Sequence, residues 1–268
     1  MNKPRLILTS TALLGALAPV AAPSAQDFAA VVSPPRFEIR AEPGQRIRQV
    51  VEITNAGPRP SRYHMRTADW TLGADGGVTF SEDLTPGSCR SWVAIERREI
   101  EVPGGGRYRY RFEVQAPPDT TRGECRFALM IEGDPQTVQT GNGLPVPVSG
   151  RIGVIVYVTV GQAAADLQLA DAKVTDTSGG TLPALAVHNA GNAHARLNGF
   201  LSGTDARGRR LEFFPSTLPI LPGETRLIPL TPSIGPDPVT DLAFPVRVAG
   251  VVEWGDGRRI EINQLFTR

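Results

Sequence analysis

The side chains in this sequence that could grip another molecule are arginines. Arg36 follows the extended run Val31-Val32-Ser33-Pro34-Pro35, and Arg151 interrupts a long alternating apolar stretch. Arginines beside a cleft hold a carboxylate through paired, charge-assisted hydrogen bonds, so Arg36 and Arg151 are the carboxylate-anchoring candidates. Glu96, Glu99 and Glu101 resemble an acid cluster, but they alternate with Arg97, Arg98 and Ile100. That pattern fits a solvated strand face with local ion pairs rather than an acid–base pair. The only three histidines are His64, His188 and His194. Their spacing suits neither a metal site nor a catalytic triad, and turn or surface roles are expected of them. Nucleophile elbow, phosphate-cradling loop and dinucleotide fingerprint are all missing. The expectation is a binding protein with no catalytic residue, no metal and no cofactor.

Two cysteines, Cys89 and Cys125, lie far apart in the first half. Redox enzymes place their pair two residues apart, so an intradomain disulfide is expected. Closing a loop of that length stabilises a fold by roughly 4 kcal/mol on the chain-entropy model. An oxidising compartment agrees with the N-terminus. Lys3 and Arg5 precede an apolar run from Leu6 to Val20, then the small residues Ala21, Ala22, Ser24 and Ala25. Residues 1–25 therefore read as a secretory signal, too short and wrongly flanked for a membrane span. An exported chain with no membrane insertion follows. The formal net charge of +1 gives no reason to expect nucleic acid as a partner.

The elements that must carry these residues are strands. Gly (28) and Pro (24) are abundant and the apolar residues lean towards Val, Ile and Leu, a composition of short strands and many turns. A repeat organises them. Ile53-Thr54-Asn55-Ala56-Gly57 followed by Arg62 recurs as Val187-His188-Asn189-Ala190-Gly191 followed by Arg196, at the same spacing. Each copy later meets a Pro-Gly turn, at Pro103-Gly104 and Pro222-Gly223. Two related all-β domains, immunoglobulin-like sandwiches in tandem, are the reading. Strands are expected at 30–37, 47–53, 63–70, 78–80, 92–95, 100–102, 108–114 and 123–131. In the second domain they are expected at 167–169, 184–187, 197–201, 211–214, 227–230, 246–252 and 260–265. The small-residue stretch Gly161-Gln162-Ala163-Ala164-Ala165 marks the boundary, giving domains at 26–161 and 162–268.

Residues 133–143 are polar and turn-rich and read as a mobile loop. Directly after them Leu144, Val146, Val148, Ile152, Val154, Val156, Val158 and Val160 occupy alternate positions, broken only at Gly150. In the second half of this run Ile155 and Tyr157 make the other face apolar too, as in a strand buried on both sides. A strand this long, apolar at first on one face only, is a natural edge for pairing with another chain. Leu144, Val146, Val148, Ile152 and Val154 are its candidate binding residues.

Taken together, Val31-Val32-Ser33-x-x-Arg36, the Asn55 turn, Trp70, Ser91-Trp92-Val93, Pro103-Gly104, Gly123-Glu124 and the alternating run ending at Val156-Tyr157 resemble the PapD-like periplasmic chaperones of pilus assembly. The resemblance spans the chain after the export segment. It implies two angled immunoglobulin-like domains that lend an edge strand to pilin-like or other secreted subunits in the periplasm, with an outer-membrane usher as a further partner. It also implies a cleft arginine, at Arg36, that holds the subunit's terminal carboxylate. The family pairs that arginine with a lysine near the position of Val154; no lysine stands there, and Arg151 is the nearest basic residue. The same edge could also pair in a homodimer. An exported structural or adhesive module without chaperone activity is the competing reading.

Overall fold

The alternation of Tyr108, Tyr110 and Phe112 with Arg107, Arg109 and Arg111 prescribes a strand with one dry face and one wet face. A computed structural model of the chain has that strand. The structure describes residues 28–85, 88–139 and 142–268; the expected export segment lies outside them.

The protein is all β, two immunoglobulin-like sandwiches in tandem. The first is built from β1 (Ala30–Ser33), β2 (Arg36–Ala41), β3 (Arg46–Asn55), β4 (Ser61–Leu72), β5 (Val78–Ser81) and β6 (Val93–Ile95). It continues with β7 (Glu99–Val102), β8 (Arg107–Gln115), β9 (Gly123–Gly133), β10 (Gln136–Gln139), β11 (Pro145–Val148) and β12 (Arg151–Val160). One sheet runs β1-β3-β8-β6 and the other β2-β12-β9-β4-β5, with β7 beside β4. The chain crosses from one sheet to the other at Pro34-Pro35, between β1 and β2. Phe37, Val51, Ile53, Tyr110, Phe112, Phe127 and Val156 fill the space between the sheets, where the Phe112 ring meets Phe37 and Phe127 edge to face.

The second sandwich has β13 (Leu167–Thr177), β14 (Gly180–Asn189), β15 (Asn198–Thr204) and β16 (Arg210–Pro215). β17 (Thr225–Ile234), the two-residue β18 (Asp237–Pro238), β19 (Val246–Trp254) and β20 (Arg258–Phe266) complete it. Its strand order is β13-β14-β17-β16-β15-β19-β20. β17 changes partner midway, pairing with β14 over Thr225–Pro229 and with β16 over Leu230–Ser233. Leu185, Phe213, Ile228, Val248, Trp254 and Phe266 form its core.

A third apolar cluster lies outside both cores. Ala68, Trp70, Ala128, Met130 and Tyr157 face away from the first core, and Leu221 of the second sandwich packs into them. β9 is therefore covered on both faces. That explains why Phe127-Ala128-Leu129-Met130-Ile131, each at most 1% exposed, reads as a continuous apolar run.

Two expectations change around the hairpin. Residues 133–143 hold a strand, β10, which pairs with β11 from Gln136↔Val148 to Gln139↔Pro145. Four residues are too few to display a period, so only the partner reveals this strand. The single run expected over 144–160 is divided at Ser149-Gly150 into β11 and β12. Phe28 packs against the break: a Cβ at Gly150 would stand 2.0 Å from its ring, and one at Gly133 would stand 2.7 Å from it. The two glycines leave the space that Phe28 occupies.

Candidate functional site

β12 joins the two features that could engage another molecule. Over Ile155–Val160 it is an interior strand, parallel to β2 and antiparallel to β9. Over its first four residues only β9 pairs with it, so the open edge lies in the upstream part of the run. β10 and β11 prolong β9 and β12 as a two-stranded ribbon.

The five candidate residues of this run fall into three environments. Leu144, Val146 and Val148 are exposed, at 63%, 40% and 51%. Ile152 is half-buried against the first core. Val154 is wholly buried in that core, so its side chain is committed to the sandwich and cannot also meet a partner. Side chains two residues apart share a face; the three exposed residues thus continue the line of Ile152, Val154 and Val156 beyond the sandwich.

At the other end of β12 lies a cavity between the domains, of about 360 Å³. Arg36, Glu38 and Arg40 of β2 line it, with Glu124 and Thr159, the linker Ala163–Ala165, the segment Ala193–Arg196, and Trp254, Asp256 and Arg258. Arg36 thus stands in the cleft, its Nε 3.0 Å from Glu38 Oε1. Arg151 is not among the lining residues. It lies four residues up β12 from Ile155, the register partner of Arg36, a separation of about 13 Å along a strand. The structure does not bring the two arginines together.

The groups that do meet there come from both domains. His194 Nδ1 is 2.5 Å from Glu124 Oε2, which also accepts the His194 backbone N–H at 3.1 Å. Both side chains are buried, at 7% and 1% exposed. The imidazole stacks on the Tyr157 ring at 3.7 Å, and the Arg196 guanidinium lies over the same ring at 5.4 Å. Arg196 Nη1 donates to Glu38 Oε1 at 2.9 Å. It also sits 2.9 Å from His194 Nε2. Arginine cannot accept, so this arrangement fits the neutral ring with its proton on Nδ1.

Burial pushes the His194 pKa down, but the hydrogen bond to Glu124 and the neighbouring Glu38 carboxylate outweigh it and raise the pKa above its ordinary value. When Nε2 gains its proton it must turn from Arg196 towards Glu38, whose Oε1 is 3.7 Å away. Glu38 is drawn down to about 2, chiefly by the nearby His194 and then by the charges of Arg196 and Arg36. The second Glu124 oxygen, Oε1, has no hydrogen-bond partner.

A second contact braces the joint. Arg226, buried in the second sandwich and paired with Glu224, donates to the carbonyl of Gly73 at 2.9 Å in the β4–β5 turn. Cys89 and Cys125 are disulfide-bonded, with Cα atoms 5.8 Å apart, tying the 3₁₀ turn Arg90–Trp92 to β9. The remaining histidines keep separate company: His64 with Asp134 at 2.6 Å, and His188 with Thr225 at 3.0 Å.

Sequence reasoning missed Glu38, Glu124, His194 and Arg196 as a group. Glu124 and His194 are seventy residues apart, and no local period links them. The one available signal was the matched spacing of Arg62 and Arg196 in the repeat.

Solved structures similar to this one include the CupB2 chaperone of Pseudomonas aeruginosa. The two are 13% identical over 88% of this chain and 100% of that one, with a TM-score of 0.47. A chain of the CsuC–CsuE chaperone–tip adhesion subunit complex of Acinetobacter baumannii is 14% identical over 89% and 99%, with a TM-score of 0.46. A chain of the Salmonella enterica complex of SafA pilin with the SafB chaperone is 11% identical over 90% and 97%, with a TM-score of 0.45. No protein-family model and no curated protein sequence matches. Chaperones thus recur among the solved structures similar to this chain, at low identity and with TM-scores below 0.5.

Proposed function

We propose that this protein is a periplasmic chaperone that binds pilin-like or other secreted subunits by lending them the β11–β12 edge. The observation that carries this reading is the placement of Leu144, Val146 and Val148, exposed on the face whose downstream members are core. A subunit lacking one strand exposes an apolar groove, and these side chains are spaced to enter alternate pockets along it. Each half-exposed side chain that becomes fully buried contributes about 1 kcal/mol, and the strand edge adds backbone hydrogen bonds. On this reading residues 1–25 are removed on export, 26–161 form the subunit-binding domain, and 162–268 supply the second wall of the cleft. Arg36 is the anchor for a subunit carboxylate, exchanging its Glu38 partner for the incoming anion. Arg151 serves the edge, not the cleft.

The test is co-export with a candidate pilin-like subunit, reading the soluble subunit recovered with the chain. Val146→Asp with Val148→Asp is expected to cut recovery at least about tenfold, since two charges would have to enter an apolar groove. Recovery undiminished by both changes excludes strand lending and favours the adhesive module.

A further inference from the structure

The outer face of β12 is closed by a different part of the chain. Val154 and Val156 point into the first core, so Gly153, Ile155 and Tyr157 point outwards. Ile155 and Tyr157 belong to the third apolar cluster. Gly153 has no side chain to place there, and the ring of Phe80 from β5 takes that position. A Cβ at Gly153 would stand 2.3 Å from Phe80 Cζ.

Gly153 is also a residue of the open edge. Gly150 O accepts from Gly133 N at the end of β9, and Gly161 N donates to Ala41 O of β2. Backbone groups alternate in direction along a strand. Ile152 and Val154 therefore bond to their register partners on β9, Ile131 and Leu129. Arg151 and Gly153 turn their N–H and C=O groups to the other side, where β2 begins only at the level of Ile155. A glycine at such a place is poorly held. It loses more conformational freedom on being kept extended than any other residue, and it brings nothing to pack against its neighbours.

Phe80 is itself firmly placed. Its register partner on β4 is Trp70, which is buried and donates through Nε1 to the Phe127 carbonyl at 3.2 Å. Just after β5, Glu82 pairs with Arg66 of β4 at 2.7 Å. In the turn before β5, a Cβ at Gly76 would come within 2.9 Å of Leu218 of the second sandwich, and Arg226 holds the Gly73 carbonyl. The β4–β5 hairpin thus lies across the outer face of β12, fastened before and after Phe80. An aromatic ring laid over an edge glycine supplies the packing that the glycine lacks.

We propose that Phe80 is a positioning residue of the lending edge, holding Gly153 extended so that the open backbone groups of Arg151 and Gly153 stay in line for a subunit's strand. The inference rests on the strand-lending reading for what pairs there. The hold on Gly153 is read on this chain alone.

The experiment is amide hydrogen exchange of the exported chain, followed at Ile152 and Val154 and, for comparison, at Tyr110 and Phe112 of β8. Phe80→Ala is expected to speed exchange at the first pair at least about tenfold and to leave the second pair unchanged. Gly153 is not among the glycines with positive φ, so a β-branched residue can stand there once the ring is gone. Adding Gly153→Val to Phe80→Ala, which stiffens the strand and refills the space, is expected to restore slow exchange. Soluble subunit recovered on co-export should fall in Phe80→Ala and return in the double variant. Should Phe80→Ala not fold, Phe80→Leu, which keeps apolar bulk but reaches less far, is read in the same way. Unchanged exchange at Ile152 and Val154 overturns the proposal, as does equal acceleration in β8, which would make Phe80 a general core residue. Recovery undiminished by Phe80→Ala, where Val146→Asp with Val148→Asp abolishes it, overturns it as well and leaves strand lending intact. Local acceleration in Phe80→Ala alongside recovery undiminished by the two aspartates keeps Phe80 as the holder of this edge and removes strand lending.

Discussion

The turns at Asn55 and Asn189 are the same device used in two settings. Each asparagine is buried, at 1% and 0% exposed. Each accepts the backbone N–H of the glycine two residues on, at 3.0 Å, and donates to the carbonyl four residues on, Arg59 or Ala193. Each also reaches a carbonyl near its Pro-Gly turn, Val102 or Ile220. The copies part beyond the glycine. In the first, Pro60 is exposed and Arg62 pairs with Glu99 on the neighbouring strand of its own sheet. In the second, the equivalent positions are His194 and Arg196, and both cross to the other domain. A repeated turn thus fixes the scaffold, whereas the residues five and seven positions after the asparagine acquire their roles from whatever surface faces them.

The largest test of that contrast removes the side chain at equivalent positions. His194→Ala takes the partner from a buried carboxylate, strands Glu124 and removes the stack on Tyr157. Breaking a buried pair from one side costs about 3–5 kcal/mol. Pro60→Ala, on an exposed turn, is expected to stay within about 0.5 kcal/mol. Urea unfolding of the two variants checks this, and equal shifts would show that the joint does not distinguish the copies.

The asparagines themselves should behave alike. Asn55→Ala and Asn189→Ala each leave several buried backbone groups unpaired, a loss of roughly 3 kcal/mol in either domain. A large difference between them, read from the same unfolding curves, would mean that the two turns are not one device.

How far the sequence reveals these features follows from the range of the forces involved. The strand positions of the second domain, the disulfide and both asparagine turns are legible because each leaves a local signature: a period of two, a pair of cysteines in an exported chain, a turn motif at fixed spacing. β10 is hidden because it is short and defined by its partner. Arg36 lines the cleft, but the His194–Glu124 pair joins residues from different domains. Such a pair leaves no trace in either neighbourhood. The break at Gly150 is visible as an interruption, but the ring that requires a glycine there, Phe28, lies more than a hundred residues away.

A smaller contrast is expected between the matched arginines. Arg62 is half-exposed and its carboxylate partner equally so, and pairs of that kind contribute at most about 0.5 kcal/mol. Arg196 is 16% exposed, bonds to Glu38 and lies over the Tyr157 ring. Arg196→Ala is expected to cost about 1–2 kcal/mol, against little or nothing for Arg62→Ala. Matching losses in thermal unfolding would assign Arg196 to the surface as well.

The subtlest difference between the copies is a dependence on pH that only the second one has. His194 has a raised pKa in the folded protein, so the folded state binds its proton more tightly than the unfolded chain does. Its contribution is complete below the ordinary value of 6.5 and is lost as pH rises through the folded value. Glu38 has the opposite sign: lowered from 4.5 to about 2, it contributes above 4.5 and loses that contribution as pH falls towards 2. Glu38 is half-exposed, so solvent screens much of its share. The joint between the domains should therefore hold most firmly between roughly pH 4.5 and 6.5 and loosen on both sides, with the alkaline loss abolished by His194→Gln. Unfolding followed through a probe at Trp254, which lines the cleft, would register the window. The Asn55 turn, with no titrating group in its hydrogen bonds, should show no such window, and an identical profile in His194→Gln would remove the histidine from the account.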